Sequence, residues 1–156
     1  MKIIDDLKAL NREQRATFLA SVLGWTLDAF DYFLMAFAIN PIATEVKASE
    51  VDVFVAITLT LIFRPLGALF FGWLADRHGR RPVMMGNILL FSFFAVASAF
   101  SPNLTVLLII RALFGFAMGG EWGIGSSLVM ESIPAQSRGA VSGILQQGYP
   151  LGYLLA

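Results

Sequence analysis

Cysteine is absent from this chain, and histidine occurs once, at position 78. Without cysteine the chain can form no disulfide and offers no thiolate to a metal ion. His78 lies in a basic segment and has no second metal ligand at the usual spacing, so we predict neither a metal site nor a cofactor. The sequence also lacks a recognisable nucleophile–base set, which argues against an enzyme.

Charged residues are scarce as well. They make up 14% of the 156 residues, whereas soluble domains carry about 25%. Hydrophobic residues make up 57%, and the formal net charge is zero, which gives no support to nucleic-acid binding. This composition is typical of a membrane protein whose surroundings are a lipid bilayer.

Four apolar segments are long enough to cross a bilayer, since about 20 helical residues span roughly 30 Å. They are residues 17–40, 53–74, 83–100 and 104–130, and a fifth begins near Ala140. The sequence therefore predicts an all-α membrane protein with a short N-terminal segment, residues 1–16, followed by transmembrane helices 1–5 in residues 17–156. The final apolar run has no polar flank, so we expect an N-terminal fragment of a longer protein.

The N-terminal segment fits either a helix on the membrane surface or a loose tail. Asn11 followed by Gln14 is typical of a helix start. If the spans alternate in direction, Lys47 lies on one side of the membrane and the other loop cations lie opposite. The positive-inside rule then places the N-terminus in the cytoplasm of a multi-pass protein of the plasma (inner) membrane. The cations on that side are Lys2, Lys8, Arg12, Arg15, Arg77, Arg80, Arg81 and Arg138.

Five charged residues fall inside the predicted spans. A charge at the bilayer centre costs at least about 2.5–3.5 kcal/mol on insertion scales, so such residues usually face the interior of a bundle and act there. Asp28 and Asp31 lie three residues apart and share one helix face. The other three are Arg64, Arg111 and Glu121.

Depths counted at 1.5 Å per residue predict the partners of these charges. Asp28 and Arg64 lie roughly 18–20 Å below the outer surface, and Asp31 and Arg111 roughly 10–14 Å below it. Three acids face two arginines, so one acid is in excess. Glu121 lies deepest, at about 25 Å below the outer surface. Desolvation favours the protonated form of an unpaired buried carboxylate. Either that acid carries a proton, or a substrate anion displaces a carboxylate that then takes one; the alternative is a purely structural set of ion pairs.

The segment Gly72-Trp-Leu-Ala-Asp76-Arg77-His-Gly79-Arg80-Arg81 is the most specific motif of the chain. It resembles the signature loop between helices two and three of the major facilitator superfamily. Arg111-Ala-Leu-Phe-Gly115-Phe-Ala-Met-Gly119-Gly120 resembles the helix-four pattern of that superfamily, with Ala117 in place of the middle glycine. The resemblance implies the N-terminal part, about 4.5 helices, of a twelve-helix fold. It also implies a cytoplasmic lock formed by Asp76, Arg80, Glu131 and Arg138.

A narrower resemblance rests on Gly24-Trp-Thr-Leu-Asp28-Ala-Phe-Asp31, on Phe63-Arg64-Pro-Leu-Gly67 and on the run from Leu145 to Ala156. These segments are similar to the sialate:proton symporter family, and the Gln-Gln-Gly-Tyr run is similar to its lactate and fungal carboxylate permeases. Bacterial sialate carriers have a glutamate at the position of Glu121, whereas fungal permeases have an apolar residue.

The resemblance implies secondary active transport, namely proton-coupled symport of a small monocarboxylate such as lactate or pyruvate. Arg64 and Arg111 are candidates to bind the carboxylate, because the planar arginine fork can hold it in two hydrogen bonds. Asp31 is the first candidate for proton coupling, Asp28 is a partner that tunes Arg64, and Glu121 is the alternative carrier. The other partners are protons and the C-terminal half of the same transporter.

Three alternatives remain open at this point. The substrate can be sialic acid or an aromatic acid, or the chain can be a membrane receptor that transports nothing. Gln147 and Tyr149 are further candidates for substrate hydrogen bonds, and Gln147 is preferred over Gln146 because neighbours on a helix diverge by about 100°.

Small residues allow helices to approach closely. We therefore expect a set of span-four glycines to pack against span one: Gly115, Gly119, Gly120, Gly123 and Gly125.

Overall fold

The computed structural model describes residues 10–156, with the side chain of Gln136 left aside. The predictions for residues 1–9, including Lys2 and Lys8, lie outside the described residues. The described chain is all-α, as predicted. Its helices are α1 (Arg12–Phe37), α2 (Ile39–Glu45), α3 (Glu50–His78), α4 (Arg80–Ala99), α5 (Leu104–Ser132), α6 (Arg138–Gln146) and α7 (Gly148–Leu155).

Four of these helices, α1, α3, α4 and α5, are long and apolar enough to cross a membrane. Each matches one predicted span, and α1 and α3 begin earlier than predicted, because polar caps at their start satisfy the free backbone N–H groups. Asn11 accepts a hydrogen bond from Gln14 N at 2.8 Å, and Gln14 Oε1 accepts one from Asn11 N at 2.9 Å. Ser49 and Asp52 form the same reciprocal cap at the start of α3.

Two proline residues lie in the first turns of the short helices α2 and α7. The first span was predicted to reach residue 40, but α1 already ends at Phe37, and Pro41 lies in the first turn of α2. Proline is tolerated there because the N–H groups of the first turn have no partner within the helix. Pro150 has the same position in α7, and the fifth span is accordingly divided at Gln147.

The expected loop after the fourth span is shorter than predicted. The structure contains a 3₁₀ turn, Ala135–Ser137, and α6 already begins at Arg138. The sharp turn expected at Gly79 is present, and its φ of 91° is readily available only to glycine. Gly72, the first glycine of the same motif, has open space beside it, because no atom lies within 4 Å of the position of a Cβ there.

The helices α3 and α5 have the closest backbone contact of the described chain. A Cβ at Gly115 would overlap the backbone of Thr60, and one at Gly119 would overlap the backbone of Arg64. Gly67 of α3 reciprocates against the backbone of Phe116. The prediction that the span-four glycines pack against span one is therefore wrong for Gly115 and Gly119, because α3 carries a complementary glycine and the two helices interlock. Gly125 does lie near α1, at Ser21.

Helix α1 packs chiefly against α7 rather than against the glycines of α5. Gly148 and Gly152 lie against α1 next to Thr26, where a Cβ would meet backbone atoms of α1. Helix α4 packs on the other side of α5, with Phe91 among Phe114, Ala117 and Met118. The interface between α1 and α5 contains the polar side chains of the candidate site beside apolar contacts such as the Trp25–Trp122 stack.

We predict that Gly119→Ala destabilises the protein by about 1–3 kcal/mol, the usual effect of overpacking a close interface. The added methyl group would collide with the backbone of α3, which cannot move away as a side chain would. The measurement is thermal unfolding of the purified full-length protein in detergent. Gly123→Ala is the matched control on the same helix, because that position faces open space. Equal unfolding temperatures for the two variants would contradict the predicted interlock.

Candidate functional site

The candidate site lies between α1, α3 and α5. Asp28 and Asp31 lie on one face of α1, since three residues correspond to almost one helical turn. Arg64 projects from α3 and Arg111 from α5. The tight α3–α5 contact fixes the separation of the two arginines, and the Thr60 hydroxyl strengthens it by donating a hydrogen bond to the Arg111 carbonyl at 3.2 Å.

Asp28 and Arg64 form the deeper of the two ion pairs, as the depth count predicted. Arg64 Nη2 lies 2.5 Å from Asp28 Oδ1, and Arg64 Nη1 lies 3.1 Å from Asp28 Oδ2. The indole Nε1 of Trp122 donates a further hydrogen bond to Asp28 Oδ2 at 2.6 Å. Asp28 is only 1% exposed, so these three bonds replace its contact with water. Such saturation stabilises a buried carboxylate.

Asp31 and Arg111 form the second predicted pair, which is less saturated. Arg111 Nη1 donates one hydrogen bond to Asp31 Oδ2 at 2.6 Å. The guanidinium carbon of Arg111 lies 5.1 Å from the ring centroid of Phe114, within cation–π range. The Asp31 side chain is 21% exposed and therefore more accessible than Asp28.

Both arginines retain unused hydrogen-bonding capacity. The Nε atoms of Arg64 and Arg111 are buried and have no hydrogen-bond partner among the described residues. A cavity of about 10 Å³ separates the two ion pairs, and Asp31, Arg64 and Arg111 are among its lining residues. That volume is close to the minimum for one water molecule. This small cavity has no room for an anion, so an anion that binds Arg111 from this side would have to displace Asp31.

Glu121 is the acid without a partner. It is fully buried, at 0% exposure, and neither carboxyl oxygen has a hydrogen-bond partner in the described chain. Its carboxyl group lies against Gly24 of α1, where any side chain would overlap it. The predicted excess of one acid over the two arginines thus falls on Glu121.

Trp122 is a site residue that the sequence analysis missed. It stacks on Trp25 with ring centroids 4.6 Å apart, and Tyr149 meets it edge-on at 6.2 Å. The spacing held a signal, because Trp122 follows Arg111 by 11 residues, which places both residues on one stripe of a helix. A cavity of about 290 Å³ adjoins Trp122 and Arg64, and its other lining residues are apolar apart from a glycine: Leu61, Pro65, Ala68, Met118 and Gly119.

Tyr149 and Gln147, both predicted to contact the substrate, lie in different surroundings. The Tyr149 ring lies between Phe33 and Trp122 at the edge of the site. Gln147 is exposed at the junction of α6 and α7, as is Gln146, and no hydrogen bond joins either side chain to another described residue. Tyr149 therefore lies beside the ion pairs, whereas the two glutamines are outside the hydrogen-bonded cluster.

The predicted lock at the other end of the helices is only partly assembled. Arg80 Nη2 lies 2.8 Å from Glu131 Oε1. Asp76 is exposed and forms no ion pair with the described residues. Arg138 donates instead to the carbonyl of Ile133 at 3.3 Å, because it begins α6 directly after the turn. The structure thus brings together two of the four proposed members.

The remaining basic residues of this loop have other contacts. Arg81 Nη2 lies 3.2 Å from Glu13 Oε2, which links α4 to the start of α1. The Arg77 guanidinium lies 5.8 Å from the ring centroid of Trp73. Sequence reasoning did not predict the contact with Glu13, since the two residues are separated by 68 positions and neither is apolar.

Comparison with known proteins agrees with this architecture. The family model of the Major Facilitator Superfamily matches residues 19–156. A probable 4-methylmuconolactone transporter of Cupriavidus pinatubonensis is 35% identical over 96% of this chain and 35% of its own length. The sialic acid transporter NanX of Escherichia coli is 30% identical over 96% of this chain and 37% of its own length. The niacin transporter NiaP of Acinetobacter baylyi is 37% identical over 86% of this chain and 30% of its own length.

This chain spans about a third of the length of these relatives. The similarity to a sialic acid transporter agrees with the resemblance inferred from the helix-one and helix-four motifs. The matched region includes most of α1, the whole of α3, α4 and α5, and both ion pairs. With its family model matched over residues 19–156, the chain belongs to the major facilitator superfamily, a family of multi-pass membrane transporters.

Proposed function

We propose that the chain forms part of a proton-coupled symporter of a small monocarboxylate such as lactate or pyruvate. The observation that carries this proposal is the presence of two arginines inside the helix bundle, each held by an aspartate of α1 and each with a buried, unused Nε donor. A substrate carboxylate has the same charge and the same acceptor geometry as those aspartates. It can therefore replace one of them at its arginine.

This exchange of one carboxylate for another would couple substrate binding to proton binding, because it keeps the net charge of the site constant. The substrate carboxylate takes the place of Asp31 at Arg111, because that pair has a single hydrogen bond and Asp31 is the more exposed of the two aspartates. The released Asp31 then lies in an apolar region without a cation, where an ionised carboxylate is costly. It binds a proton, so that one anion and one proton occupy the site together. Asp28, which accepts three hydrogen bonds, stays at Arg64 and orients it.

The orientation and the location of the protein are also part of this proposal. The basic loop residues favour a cytoplasmic N-terminus in the plasma (inner) membrane. The remaining length of the relatives would supply the opposite wall of the cavity, with alternating access by rocking of the two halves. The Arg80–Glu131 pair would then stabilise the cytoplasmic closure, with Asp76, Arg138 and the basic residues around Gly79 as its other elements.

An aromatic acid is the second candidate substrate, and one observation favours it. The cavity of about 290 Å³ is mainly apolar and places the Trp122 ring beside Arg64. A flat ring could lie against Trp122 while its carboxylate reaches the arginine. Sialic acid remains the third candidate, and one relative is named as its transporter. A receptor on the same scaffold would need neither the proton nor the exchange.

The first experiment tests the role of Arg111 in substrate binding. We expect Arg111→Lys to raise the apparent KM for proton-driven lactate uptake about tenfold or more, because lysine keeps the charge but loses the planar fork. Arg12→Lys is the matched control, since Arg12 is exposed outside the site. Uptake by the full-length protein in proteoliposomes is the measurement. Unchanged uptake in an Arg111→Ala variant with normal expression would contradict the role of Arg111, and no lactate uptake by the folded unmodified protein would favour the receptor.

The second experiment separates the two aspartates. Asp31→Asn mimics the protonated acid, so Arg111 is free at every pH. We expect substrate binding to the unmodified protein to weaken as the pH rises, because ionised Asp31 competes for Arg111, and we expect binding to Asp31→Asn to be independent of pH. Counterflow should persist in this variant while uphill uptake is lost. An Asp28→Asn variant that shows this pattern, beside an unaffected Asp31→Asn, would reverse the two assignments.

The third experiment addresses the substrate. Labelled lactate uptake by the full-length protein is challenged with unlabelled pyruvate, sialate and benzoate. We expect pyruvate to compete most strongly. Strong competition by benzoate that disappears in Trp122→Leu would show that the aromatic wall selects the substrate, and competition by sialate alone would favour the sugar acid.

A further inference from the structure

Three fully buried polar side chains lie where α1, α4 and α5 meet, and neither ion pair uses them. They are Ser21 of α1, Asn87 of α4 and Glu121 of α5. The Ser21 hydroxyl, both polar atoms of the Asn87 amide and both carboxyl oxygens of Glu121 lack a hydrogen-bond partner in the described chain. Buried polar atoms almost always have a hydrogen-bond partner, so the unpartnered atoms of these three side chains require an explanation.

The packing of α4 on α5 places Asn87 at the level of Glu121. The two helices run in opposite directions, and residues three or four apart share a face. On one side of Asn87, Met84 lies against Gly125. On the other side, Phe91 packs with Ala117 and Met118. Asn87 lies between Met84 and Phe91, and Glu121 lies between Met118 and Gly125, so the two side chains occupy the same layer of the interface.

The protonation state of Glu121 decides how many hydrogen-bond donors and acceptors this layer contains. A protonated carboxyl group has one O–H donor and one C=O acceptor, and a carboxamide offers an N–H donor and a C=O acceptor. The two groups can therefore close a ring of two hydrogen bonds that gives all four unpartnered atoms a partner. An ionised Glu121 can only accept, which leaves the Asn87 carbonyl without a donor from that side chain and a buried charge without a counterion.

We propose that Glu121 binds a proton and that Asn87 holds the protonated carboxyl group in such a pair. This inference rests on the proposed proton coupling and adds a second proton-binding position with a named positioning residue. Gly24 provides the space, because any side chain there would overlap the carboxyl group. The charged groups that act on Glu121 are Asp28 from α1 and Arg64 from α3.

The surrounding titratable groups are few. Helix α4 carries no titratable side chain beyond Arg80 and Arg81 at its start. Tyr149 of α7 lies beside Trp122, the residue that follows Glu121. Release of the proton from Glu121 would remove one bond of the pair and add a negative charge next to the Asp28–Arg64 pair. The proton would thereby influence Arg64, the arginine that the proposed function keeps paired with Asp28.

The test is infrared spectroscopy of the purified full-length protein, which detects the C=O stretching band of a protonated carboxyl group. We expect Glu121→Gln to remove one such band, and we expect the variant to fold, since an amide also forms two hydrogen bonds with Asn87. Asn87→Leu should keep the band and shift it to higher frequency, because the C=O loses its donor. Asn87→Ala should give the same shift, and it covers a failure of the leucine variant to fold.

Ser21→Ala is the matched control, because Ser21 is equally buried but takes no part in the ring; we expect no shift of the band. A spectrum unchanged by Glu121→Gln, or a band unmoved by both Asn87 variants, would overturn the proposal. A shift in Ser21→Ala alone would also overturn it, by assigning the partner to Ser21. Proton-dependent uptake is measured in parallel. If uptake is absent while the expected band changes are observed, the proposed function is contradicted but the Glu121–Asn87 pair is not.

Discussion

The burial of ionic charge in an apolar layer is the constraint on which this structure depends. A carboxylate or guanidinium inside a bilayer is costly unless an opposite charge and hydrogen bonds replace the lost water. Asp28 and Asp31 meet this requirement through arginines on two other helices, Arg64 of α3 and Arg111 of α5. The two pairs therefore fix how α1 is rotated relative to α3 and α5.

The glycine contacts between α3 and α5 make this pairing geometry available. Gly115 lies against Thr60 and Gly119 against Arg64, so the backbones that carry the two arginines are held at close range. Backbone contacts of this kind leave little freedom for adjustment, since there are no side chains to repack. The arginines are consequently presented to α1 by a rigid pair of helices, which is what repeated exchange of one anion for another requires.

The two ion pairs differ in a way that assigns them different parts in such an exchange. Asp28 accepts hydrogen bonds from both Nη atoms of Arg64 and from Trp122, whereas Asp31 accepts a single one from Arg111. The saturated pair is suited to hold an arginine in position, and the less saturated one to open. Glu121, which forms an ion pair with neither arginine, adds a buried acid that, in the proposed pair, is held by Asn87 next to the Asp28–Arg64 pair.

The sequence by itself determined the helices and the two ion pairs. Long apolar runs set the spans, and the regular rise of a helix converts residue numbers into depth, so charges of equal depth could be matched. The tertiary structure decided which helices touch. A run of glycines such as Gly115 and Gly119 marks a close contact but does not identify the partner, and that partner is α3 rather than α1 because α3 carries Gly67. The positions of Trp122 at Asp28 and of Asn87 level with Glu121, and the separation of Asp76 and Arg138 from Arg80 and Glu131, likewise depend on contacts between distant segments that no local pattern encodes.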